Sequence, residues 1–208
     1  MTPAVRPRLL LLDFDGVLAH YSHERRIAHL ARTSGCVPAR VADVLFASGL
    51  ETEYDSGRID TSTYLRRLGA GLDCGIDETA WIASRVAGNR ADARVIEQVL
   101  AVAAHTPIGV LTNNGALMAQ AMRGIVAPLF PLLEGRVLCS GTLGLRKPDP
   151  AAFARALDHF GVAAPQVLFV DDVFANVQGA RAAGLQADTV TDARSLGRVL
   201  KRYGLVAL

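Results

Sequence analysis

Apolar positions in this chain gather into a few short unbroken runs, separated by longer stretches with helical spacing. Leu9 to Leu12 is four consecutive leucines closed by Asp13-Phe14-Asp15-Gly16. That is the pattern of a parallel strand buried on both faces, ending where polar groups and glycine begin. Ile108 to Leu111, Val137 to Cys139 and Val167 to Val170 repeat it, each before a polar or glycine-containing turn. Helical spacing appears near 116–126, 149–161 and 174–183, with a last helix near 192–203. Strands alternating with helices predict a parallel sheet covered on both sides, because parallel neighbours need right-handed helical crossovers. The stretch from about 20 to 88 differs, with no buried-strand run and helical patterns around 23–34, 38–48, 60–69 and 77–87. Pro38 suits the first turn of one of these helices, and Asp60 or Thr61 can cap another. The expected architecture is α/β: a doubly wound parallel sheet from residues 1–18 and 89–208, interrupted by a small helical cap over 19–88.

Composition agrees with that picture and narrows the partners. At 208 residues the chain is long enough for one such core with a small insertion. With 50% hydrophobic and 20% charged residues it reads as globular rather than disordered, collagen-like or disulfide-stapled. Lys+Arg 22 against Asp+Glu 20 leaves +2, too little for a nucleic-acid footprint. Arg25-Arg26 and Arg66-Arg67 read as solvated helix faces. Cys36, Cys74 and Cys139 are scattered, forming neither a CxxC pair nor an even framework, which predicts reduced thiols and no zinc site. The early apolar run falls far short of the ~18 residues of a membrane span and of the roughly 7–15 of a signal-peptide core. No fixed-period repeat stands out. The expectation is a cytoplasmic protein that engages neither nucleic acid nor membrane.

Ligands of open parallel sheets bind beyond the carboxyl ends of the strands, and four polar clusters fall there or nearby. Asp13 and Asp15 stand two apart with Gly16 permitting an immediate turn; alone, two such acids equally well cap a turn. Thr112-Asn113-Asn114-Gly115 supplies a hydroxyl and amide donors suited to phosphate oxygens, though Asn-Gly also favours an ordinary turn. Arg146-Lys147-Pro148-Asp149-Pro150 holds one of only two lysines in the chain, the other being Lys201. Lysine is a compact charge with three donors, able to hold a phosphoryl oxygen and a carboxylate together. Asp171 and Asp172, with Asn176 and Gly179 following, are adjacent acids that repel one another and invite a hard, oxygen-liganded cation such as Mg2+. Each cluster has a bland reading as a turn or surface group; together they are the parts needed to hold a metal and a phosphoryl group.

At these residues the sequence resembles the haloacid dehalogenase-like hydrolase superfamily, whose four motifs stand here in order as DFDGVL, LTNN, RKPDP and FVDDVFAN. The resemblance covers nearly the whole chain and points to the subfamily with a helical cap inserted after the first motif; inside the cap only Ser56-Gly57-Arg58-Ile59 is familiar. It implies a Rossmann-like core and a Mg2+-dependent phosphomonoester hydrolase. Asp13 would be nucleophile and metal ligand, and Asp15 the general acid and base, giving its backbone carbonyl to the metal. Thr112 and Asn113 would hold the phosphoryl group, and Lys147 would neutralise it and orient Asp13. Asp172 would bind the metal directly, Asp171 directly or through water, and Asn176 would position that shell.

The chemistry fits those residue types. A carboxylate attacking phosphorus splits hydrolysis into two easier displacements through an aspartyl-phosphate. The attack of anion on anion needs a compensating cation, and one carboxyl can give a proton to the leaving alkoxide and then take one from water. The family's dehalogenases do without the second acid of the first motif, so Asp15 favours phosphoryl chemistry on a small phosphorylated metabolite, a sugar phosphate first. A phosphomutase of the same fold is the runner-up; a 2-haloacid dehalogenase or a non-catalytic binding protein stands further back. His20, Tyr21, His23 and Arg25 follow the first motif and would either reach the leaving group or serve as packing.

Overall fold

The computed structural model describes residues 6–206. The chain runs from β1 (Leu9–Leu12) to β2 (Ala19–Tyr21) and then into helices α1 (His23–Ser34) and α2 (Pro38–Ala42). A π-helical turn, Asp43–Ala47, prolongs α2, and α3 (Leu50–Asp55), α4 (Thr61–Leu72) and α5 (Glu78–Gly88) follow. Next come β3 (Asn89–Ala91), α6 (Ala93–Ala103), β4 (Ile108–Thr112), α7 (Met118–Ile125) and β5 (Val137–Cys139). The last part comprises α8 (Ser140–Leu143), α9 (Pro150–Phe160), β6 (Val167–Asp171), α10 (Phe174–Ala182), β7 (Gln186–Thr189) and α11 (Ala193–Arg202). No helix among the described residues is long and apolar enough to cross a membrane.

Five strands form one parallel sheet in the order β5-β4-β1-β6-β7. The leucines of β1 are buried on both faces because strand side chains alternate. Leu10 and Leu12 join Val110, Leu168 and Val170 in one apolar cluster. Leu9 and Leu11 join Leu111, Val167 and Phe169 in the other. The chain leaves β1 for β4 on one side and returns to β6 on the other, so the winding reverses between β1 and β6. A crevice opens at the carboxyl ends of strands where such a reversal occurs.

The doubly wound parallel sheet expected from the sequence is thus present. β2 and β3 form an antiparallel ribbon, pairing Ala19 with Ala91 and Tyr21 with Asn89, and the helices α1 to α5 lie between its two strands. Pro38 stands in the first turn of α2, and the Asp60 side chain accepts from the Thr63 N–H at the start of α4. The helix expected over 38–48 is α2 together with its π-helical turn.

Arg26 departs from expectation. Arg25 is exposed and Arg66 and Arg67 face water, but the Arg26 side chain is fully buried. Successive helical side chains point about 100° apart, so α1 can turn Arg25 outward while Arg26 enters the space against α3 and α5. There its Nη1 lies 2.5 Å from Glu51 Oε1 and its Nη2 3.3 Å from Oε2. The Tyr64 hydroxyl also donates to Glu51, and Trp81 Nε1 donates to that hydroxyl at 3.0 Å. Burial works against the charge of Glu51, but Arg26 outweighs it and holds the carboxyl below the ordinary range.

Removing one partner of a buried pair strands the other charge, at a cost of about 3–5 kcal/mol. Glu51→Ala should lower the urea unfolding free energy by about that much, followed through the fluorescence of the sole tryptophan, Trp81. A loss under about 1 kcal/mol would mean that the pair behaves as a solvated surface bridge.

Candidate active site

Asp13 is the first residue past β1, and Asp171 is the last of β6. Leu12 pairs with Val170, and the Asp13 N–H donates to the Val170 carbonyl at 2.9 Å, so the two acids emerge side by side. Lys147 Nζ lies between them, 2.9 Å from Asp13 Oδ1 and 2.7 Å from Asp171 Oδ2, with its side chain fully buried. The Asn113 side chain places that lysine by pairing with its backbone in both directions, donating to the Lys147 carbonyl at 2.9 Å and accepting from its N–H at 3.0 Å. Asp171 also accepts from the Val173 N–H at 2.8 Å and from Asn176 Nδ2 at 3.1 and 3.0 Å. Both of its oxygens are therefore engaged.

A cavity of about 420 Å3 opens above this row, lined by Asp13, Asp15, Thr112, Asn113, Asp172 and Asn176 among others. Carboxylate oxygens of Asp13, Asp171 and Asp172 lie within 4.8 Å of one another. Burial pushes the Asp13 carboxyl up to about 7, with Asp171 adding to the rise while Lys147 opposes it. Asp172 is raised as well, by burial and then by Asp171. One ammonium leaves this much negative charge unbalanced, and an all-oxygen donor set suits a hard divalent cation such as Mg2+. Gly16 makes the crowding possible: it turns with φ +83°, and a Cβ there would stand 2.2 Å from Asp172 Oδ2.

The structure brings all the sequence-predicted site residues together. Thr112 keeps its own O–H to donate, because its oxygen accepts from Asn114 Nδ2 at 2.8 Å. His20 and Tyr21 line the same cavity. His23 lines an adjoining one of about 210 Å3 shared with Arg85, Asp55, Thr52 and Phe46, whereas Arg25 lines neither.

Two residues at the site, Arg85 and Asp55, carry no role in the sequence reading, and Asn114 figures there only among the amide donors that follow Leu111. Asn114 and Arg85 both donate to Asp15 Oδ2, each at 3.0 Å. Asp55 Oδ1 accepts from the Gly115 N–H at 2.7 Å, so α3 is tied to the loop after β4. The neighbouring Tyr54 packs so closely there that a Cβ on Gly115 would lie 2.1 Å from its ring, and its hydroxyl accepts from the Leu117 N–H at 3.0 Å. The familiar Ser56-Gly57-Arg58-Ile59 stretch begins at the next residue, the one sequence signal that pointed near Asp55.

Comparison with known proteins finds a family profile, two partial relatives and a similar fold. The profile of the haloacid dehalogenase-like hydrolase family matches residues 7–184. A phosphatase of Mycobacterium tuberculosis is 36% identical over 108 residues, covering 47% of this chain and 49% of that protein. A phosphoglycolate phosphatase of Rhodospirillum rubrum is 38% identical over 81 residues, covering 38% of this chain and 32% of that protein. The chain thus matches about half or less of the length of these curated relatives. A HAD family enzyme of Bacteroides thetaiotaomicron, solved with magnesium and inorganic phosphate, superposes with a TM-score of 0.70 at 17% identity, covering 88% of this chain and 93% of that one.

Asp55 generates a prediction of its own. Burial first, and Glu51 second, push its carboxyl up to about 7 against the pull of Arg85. A carboxyl raised in the folded state favours folding fully below its unfolded value and forfeits that advantage as pH rises through the folded value. The Tm of the native protein should therefore fall relative to that of Asp55→Asn as pH goes from about 5 to about 8. A difference that stays constant across that range would mean that Asp55 ionises alike in both states.

Proposed function

Because the chain belongs to the haloacid dehalogenase-like hydrolases, we propose that it hydrolyses a small phosphorylated metabolite, using Asp13 as nucleophile and Mg2+ as cofactor. The observation that carries this reading is the buried Lys147 ammonium bridging Asp13 and Asp171, with Asp15 facing the same cavity two residues on. The phosphatase names of the partial relatives support it.

In this reading an Asp13 oxygen forms a bond to phosphorus and the ester oxygen departs, leaving an aspartyl-phosphate that water then cleaves. Asp15 gives the departing oxygen a proton and takes one from the water. Lys147 keeps Asp13 aimed and balances charge on the phosphoryl oxygens. Thr112 contributes its hydroxyl, and Asn113 its main chain, because its amide is engaged by Lys147. Asp13, Asp172 and the Asp15 carbonyl would hold Mg2+. Asp171 would act through water, since its oxygens already accept from Lys147, Val173 and Asn176. The ion supplies Lewis-acid stabilisation of the charge that builds on the phosphoryl group.

Helices α1 to α5, within residues 19–88, serve as the cap over the leaving group, and the two adjoining cavities suit a compact one, a sugar phosphate first. The three scattered free thiols support a cytoplasmic setting.

Purified protein should release phosphate from p-nitrophenyl phosphate with Mg2+ and lose that activity in EDTA. Asp13→Asn, which keeps the shape and removes the attacking charge, should lower turnover by orders of magnitude with folding intact. Full activity in EDTA, substantial turnover by the variant, or halide release from a 2-haloacid would overturn the reading.

A further inference from the structure

The two oxygens of Asp15 stand in different surroundings. Oδ2 accepts from Arg85 Nη2 and from Asn114 Nδ2, each at 3.0 Å, while Oδ1 is buried with no hydrogen-bond partner. Arg85 is itself held fast. Its side chain is 3% exposed, its Nη2 also donates to Asn114 Oδ1 at 3.0 Å, and its guanidinium lies 4.4 Å from the centre of the Tyr21 ring. Tyr21 belongs to one strand of the antiparallel ribbon, and α5, which carries Arg85, runs directly into the other. Asn114 is fixed from the core side by Thr112 Oγ1 at 2.8 Å.

We propose that Arg85 is a positioning residue: with Asn114 it clamps Asp15 by Oδ2 and so fixes the orientation in which its carboxyl meets the reacting oxygens. The proposal rests on the phosphatase reading above. In the first displacement the Asp13–phosphorus bond forms and the phosphorus–ester oxygen bond breaks with its electron pair on the ester oxygen. That oxygen receives the proton of the Asp15 carboxyl, and Asp15 is left as a carboxylate. In the second, water oxygen bonds to phosphorus while its proton passes to the Asp15 carboxylate, and the electron pair of the broken acyl-phosphate bond returns to Asp13. Because Arg85 rides on the last helix of the cap, its half of the clamp holds only while the cap is seated on the core, and Asn114 supplies the other half from the core side.

The test compares phenyl phosphate with p-nitrophenyl phosphate, which are alike in size but differ in how much their leaving groups need a proton. Arg85→Gln should lower kcat/KM for phenyl phosphate at least about tenfold more than for p-nitrophenyl phosphate. Arg85→Lys should recover part of that difference, with thermal unfolding confirming that each variant folds. If Arg85→Gln does not fold, Asn114→Ala removes the other donor from the core side and carries the same expectation. Equal losses on both substrates, which a merely structural role would produce, or no loss at all, would overturn the proposal. A native protein that hydrolyses neither ester would overturn the phosphatase reading itself, an outcome distinct from the failure of Arg85 alone.

Discussion

Lys147 lies between Asp13 and Asp171 with its side chain sealed from water, and neither carboxylate could be buried so near the other without it. An ammonium taken out of water costs several kcal/mol unless it is paired and fully hydrogen-bonded, so the lysine depends on the acids as much as they depend on it. This mutual need reaches far into the fold. It requires β1 and β6 to be neighbours, since only adjacent parallel strands deliver both acids at one level. It requires the loop before α9 to cross to the strand ends, where the Asn113 amide holds it by its backbone. It also requires Asn176, in the first turns of α10, to occupy the Asp171 lone pairs that Lys147 leaves.

What the sequence makes legible follows from which signals are strong. β1, β4 and β6 are fully buried, so each is read from an apolar run, and the polar residues at their ends make up the candidate site. β7 is an edge strand of sequence QADT, and the ribbon strands AHY and NRA are three residues long and polar in part; none has a run to detect. Arg26 and Arg85 are hidden for another reason. Arginine supplies all but two of the 22 basic side chains, and a buried one looks in the sequence like its exposed neighbours. Only the packing of α1, α3 and α5 distinguishes them.

The helical insertion and the sheet are joined through side chains that belong to both. Tyr54 stacks on Tyr64 at 4.2 Å, and Tyr64 in turn donates to Glu51 beside Arg26. The same Tyr54 accepts from the Leu117 N–H and lies against Gly115 in the loop that follows β4. The apolar residues of the insertion and of one sheet face accordingly form a single cluster that includes Trp81 and Leu12. Packing inside the insertion is thereby coupled to the loop that carries Thr112, Asn113 and Asn114.

The ribbon gives the insertion a fixed doorway. Ala19 pairs with Ala91 across it, so the chain departs from the core and comes back at positions one strand-spacing apart. From the side of the sheet, everything between those residues is a closed loop whose ends are already joined, and closure entropy grows only with the logarithm of loop length. The core therefore sets where an insertion begins and ends but places little constraint on how long it is. The sheet thus fixes both ends of the insertion whatever its length, so its interior could be exchanged as a unit provided that the side chains joining it to the loop after β4, Tyr54 and Asp55, keep their partners.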